Sequence, residues 1–68
     1  MMNRVPNKAV LQADLTFITT VLESIEQAAK VRQQTLNLPE PDYVSADLIK
    51  TRNTLLIRKA WLENRLTH

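Results

Sequence analysis

Asn37-Leu38-Pro39-Glu40-Pro41-Asp42-Tyr43-Val44-Ser45 is the stretch that divides this chain and decides its fold. Proline lacks the amide hydrogen that a helix needs and restricts the residue before it, so two prolines at alternate positions hold the segment extended. Asn37 is the residue best suited to a left-handed position at a helix C-terminus in a chain without glycine. Ser45 is a credible N-cap for a following helix, and Asp47 in its first turn suits the helix dipole. Asp42 is the competing cap, which would add Tyr43 and Val44 to that helix. Residues 37–44 are therefore a connecting loop between two helical segments.

Upstream, a helical pattern runs from about Lys8 to Leu36. Leu11, Leu15, Ile18, Leu22, Ile25, Ala29 and Leu36 follow alternating four- and three-residue steps, with Arg32 taking one seam position. At about 100° per residue such steps keep side chains on one meridian. A second seam runs beside it through Val10, Phe17, Val21, Ala28 and Val31, interrupted by Asp14 and Ser24. The opposite side is polar. There Glu26 precedes Lys30 by four residues, an orientation worth about 0.3–0.5 kcal/mol as a helical ion pair. Asn7 is the expected N-cap, with Asn3 the alternative, and residues 1–6 are expected to be flexible. The rod spans roughly 43 Å at 1.5 Å per residue.

Downstream, Leu48, Leu55, Leu62 and Leu66 form a seam from Ser45 to about Leu66, and Ile49, Leu56 and Ala60 form another beside it. A short connection forces the helices to be antiparallel neighbours. A register in which facing residue numbers add to 77 sets Leu11 against Leu66, Leu15 against Leu62 and Leu22 against Leu55. It also sets Val21 against Leu56, Ala28 against Ile49, Phe17 against Ala60 and Ser24 against Asn53. Arg52 and Lys59 then face Ile25 and Ile18, with their stems on the seam and their heads in water. Asp14 falls opposite Glu63. The expected fold is all-α: an antiparallel two-helix hairpin, about 8–36 and 45–66, forming one domain over residues 1–68.

Composition narrows the function. The 68 residues include no cysteine and no glycine, so thiol chemistry, disulfide scaffolds and Gly-rich phosphate loops are excluded. The only histidine is His68, and no spacing of acidic residues marks a metal site. Asp14 and Glu63 as a carboxylate pair are the nearest approach to general acid–base chemistry. The expectation is no catalytic residue, no metal and no cofactor. No apolar run exceeds three residues, as in Leu55-Leu56-Ile57, against roughly 20 for a membrane span. The opening residues lack a signal-peptide core, leaving the cytoplasm as the default location.

Two paths to function remain. A single hairpin has one helix–helix interface, and a core this small rarely supplies more than about 3–5 kcal/mol. Each helix carries two apolar seams, wider than one neighbour covers. The hairpin is thus expected to complete a four-helix bundle as a homodimer, or to dock on a larger protein as an adaptor, co-chaperone or regulatory subunit. Phe17, Val21, Ile57 and Trp61 are the candidate partner-binding residues, Ile57 and Trp61 being i, i+4 neighbours turned away from the leucine seams. The alternative is a small dimeric RNA- or DNA-binding regulator. The net charge of +2 collects on helix 2, where Lys50, Arg58 and Arg65 share one side and could meet phosphates or an acidic partner.

Overall fold

The computed structural model describes residues 7–67; residues 1–6, with the alternative cap Asn3, and His68 lie outside the described residues. Helix α1 spans Lys8–Leu36 and helix α2 spans Ala46–Leu66, packed together as a hairpin. The caps follow from residue chemistry. Asn7 accepts from the Val10 amide, and Ser45 accepts from the Leu48 amide, each satisfying an otherwise orphaned donor. Asn37 ends α1 at φ 55°, and the Leu38 amide donates back to the Gln33 carbonyl at 2.9 Å.

Asp42 does not cap α2. Its carboxylate accepts from the Val44 amide at 2.9 Å, holding a turn inside the loop. The loop climbs back along α1. Asp42 donates its amide to the Ala29 carbonyl at 3.2 Å, and Arg32 donates to the Asp42 carbonyl at 2.8 Å. Ser45 donates to the Tyr43 carbonyl at 2.8 Å across Val44, whose φ is 73°. This is a γ-turn of the strained hand, with a β-branched residue where glycine would be at ease.

The core is the pair of first seams. Leu11, Ile18, Leu22, Ala29 and Leu62 are buried, and Leu15, Leu55 and Leu66 pack against them. Ion pairs across the hairpin join Asp14 to Arg58 and Glu26 to Arg52, residue numbers that add to 72 and 78 and so straddle the expected 77. The second seams do not meet. In antiparallel right-handed helices, rotations of the same sense from the contact line fall on the same side of the pair. The seam through Val10, Phe17 and Val21 lies about 80° one way, whereas Ile49 and Leu56 lie about 130° the other way. Val21, Ala28 and Phe17 therefore do not face Leu56, Ile49 and Ala60, which sit on the opposite flank. Ser24 and Asn53 are both exposed instead of facing each other.

The result is a rod, 54 Å long and 18 Å in each other direction. Its radius of gyration is 15.5 Å, against about 11 Å for a compact chain of this length. No described helix is long and apolar enough to cross a membrane.

Candidate functional site

The two flanks of the hairpin differ in chemistry. On one, Thr19, Glu23, Glu26 and Lys30 of α1 line an open cleft with Leu56 and Lys59 of α2, floored by Leu22. Near its loop end the Glu26 carboxylate accepts from the Tyr43 hydroxyl with one oxygen and from Arg52 with the other. The Arg52 guanidinium also lies over the Tyr43 ring, 5.1 Å from its centre. The Tyr43 hydrogen bond, then that from Arg52, holds the Glu26 carboxyl below its ordinary range. The same hydrogen bond to Glu26 holds the Tyr43 phenol above its own, and the bond from Arg52 to Glu26 likewise raises the guanidinium. Glu26 is thus engaged through both oxygens with the loop and α2. It forms this clasp rather than the expected local pair with Lys30, and Arg52 spends its head on it rather than in water.

The other flank is apolar. Phe17 is 66% exposed, Ile57 72% and Trp61 43%, while Val10 is exposed and Val21 half-buried. Val10, Phe17 and Val21 of α1 turn to the side on which Asp14 meets Arg58, 3.3 Å apart across the helix–helix seam. Of the partner-binding candidates on α2, Trp61 turns to that side, while Ile57 stands towards the back of the helix, about 160° from the middle of the Leu48–Leu55–Leu62–Leu66 seam. The local sequence explains the arrangement. On α2, Ile57 and Trp61 stand about 140° and 100° from Leu62 in the rotational sense that carries Phe17 about 100° from Ile18 on α1.

The cations on this side are partly committed. Arg58 pairs with Asp14 and places its guanidinium 4.5 Å from the Trp61 ring centre, and Arg65 lies 5.4 Å from the same ring. Such contacts hold the indole against the helix and contribute about 0.5–1 kcal/mol each at exposed sites. Lys50 makes no ion pair among the described residues. Asp14 and Glu63 do not face each other as expected. Asp14 has Arg58, and Glu63 has Lys59 one turn earlier on its own helix at 3.7 Å. Each lies against a cation and not against the other, so the expected carboxylate pair is not formed. Lys59, like Arg52, ends on a carboxylate.

Sequence reasoning missed the Glu26–Tyr43–Arg52 clasp. Tyr43 reaches Glu26 from the loop, and no helical spacing encodes a contact made by a folded-back strap. The molecule defined by these features is an antiparallel helical hairpin with a leucine core seam, one flank where a charged cleft lies beside the exposed Leu56, and another that exposes Val10, Phe17 and Trp61. Compared with protein-family models, curated proteins and solved structures, the chain matches none.

Proposed function

We propose that this chain is a non-catalytic protein-interaction module whose working surface is the Phe17–Val21–Ile57–Trp61 face. The observation that carries the reading is the exposure of Val10, Phe17 and Trp61 on the side where Asp14 meets Arg58, with Ile57 next to them and the most exposed apolar side chain of either helix. Scattered exposed leucines are ordinary on any protein, but a contiguous face with an aromatic anchor and charged neighbours has the make-up of a contact surface. Its simplest occupant is a second copy, which completes a four-helix bundle. A larger subunit that receives the hairpin as an adaptor or regulatory element is the other.

Commitment of Arg58 to Asp14 weighs against the nucleic-acid alternative, which needs cations free to meet phosphates. Trp61 is the only tryptophan, so its emission reports on this face alone. The expected result is a shift to shorter wavelength as concentration rises through the micromolar range, absent in a Phe17→Glu variant of equal helicity. A water-exposed emission at every concentration, from a fully helical chain, would remove self-association from the reading.

A further inference from the structure

Resting on the interaction face above, we propose that a second copy covers it with α1 lying antiparallel against α1 of the first. The two-fold axis crosses α1 at position 19. The exposed seam at positions 10, 14, 17, 21, 24 and 28 keeps a strict four–three rhythm, the spacing of a helix that packs on another helix. Antiparallel pairing of this seam with itself permits a few registers, each a heptad from the next. Centred on 19, it sets Phe17 against Val21 of the second copy, Val10 against Ala28, and Asp14 against Ser24. Both polar interruptions then meet each other, and a serine hydroxyl can donate to the carboxylate. A slip of one heptad puts Asp14 against Phe17 or Val31, burying its carboxylate beside an apolar side chain with Arg58 as its sole donor.

Helix α2 supplies a second, independent match. The two ion pairs across the hairpin set position 19 of α1 level with about position 56 of α2. The same axis therefore brings Ile57 beside Ile57 of the second copy, and Arg65 opposite its Asp47. Arg65 and Asp47 are exposed, and neither makes an ion pair among the described residues.

The absence of cysteine makes the test direct, since any introduced thiol has no native competitor. Chains carrying Asp14→Cys and Ser24→Cys are mixed, oxidised gently and separated without reductant. Facing positions satisfy the short Cα separation a disulfide needs, whereas like positions stand ten residues out of step, roughly 15 Å along the axis. The mixed disulfide is expected in roughly tenfold preference to either homodimer. Val10→Cys mixed with Ala28→Cys gives the same preference if the first pair disturbs folding, which helicity at 222 nm reports. Homodisulfides forming as readily as mixed ones would overturn the register. So would the absence of crosslinks in both pairs when the unmodified chain sediments as a dimer, and the self-association reading would survive that result. A monomeric unmodified chain would overturn both.

Discussion

Replacing Leu62 by alanine probes the hairpin's own core, and replacing Ile57 probes what lies outside it. Leu62 is the largest side chain fully removed from water, at 0% exposure, amid Leu11, Ile18 and Leu22. Leucine-to-alanine changes at such sites cost about 2–5 kcal/mol, from lost transfer energy and the cavity left behind. With a core this small supplying about 3–5 kcal/mol, the loss consumes most of the available stability. A cost near 3 kcal/mol lowers the folded-to-unfolded ratio roughly a hundredfold. Urea titrations of the 222 nm ellipticity should therefore show Leu62→Ala largely unfolded in dilute buffer. Ile57→Ala behaves differently. For a solitary hairpin the side chain is 72% exposed, and alanine is the better helix former, so the change should stay within about 0.5 kcal/mol. Under a second copy it loses buried area, costs about 1–3 kcal/mol, and costs less as the chain is diluted. A Leu62→Ala loss below about 1 kcal/mol would refute the packing of the two leucine seams.

Further outcomes follow from the loop and caps. Val44→Gly should raise the melting temperature, relieving a φ of 73° that costs a β-branched residue about 1–2 kcal/mol, and an unchanged melting point would contradict the strained turn. Ser45→Ala removes the side-chain acceptor for the Leu48 amide and should destabilise α2 by about 1 kcal/mol in urea unfolding, whereas Ser45→Gly should cost only a few tenths. Tyr43 is the sole tyrosine, so alkaline absorbance titration reads it directly; its midpoint should lie above 10 and fall in Glu26→Gln. Because that pKa is raised on folding, the contribution to stability is present below pH 10 and lost as pH climbs through the raised value. Glu26 has the opposite sign: its lowered pKa stabilises above the ordinary value of 4.5, and the benefit is lost as acid carries the pH through the lowered value.

Much of the fold was legible because its determinants are local. Asn7, Asn37 and Ser45 each satisfy orphaned groups within a turn of themselves, and the prolines forbid helix whatever surrounds them. The leucine seams were legible from spacing alone. Pairing the second seams was the error, and its cause is geometric: matching numbers across an antiparallel pair ignores which flank each seam turns towards. Handedness settles that, and it separates Val21 from Leu56 while drawing Phe17 towards the side of Ile57 and Trp61. The same oversight set Asp14 opposite Glu63, though they leave the core in opposite rotational senses. The Glu26 clasp was illegible for a different reason, since it depends on the path of a loop that folds back through Asp42 onto Ala29.

Sedimentation equilibrium of the unmodified chain, followed from tens of micromolar downwards, reads whether a second copy covers the apolar face. The mass expected is twice the 7.8 kDa of one chain at the upper end, with helicity falling as dissociation sets in. A mass of one chain throughout, with undiminished helicity, would show that the hairpin stands alone with its Phe17–Trp61 face in water.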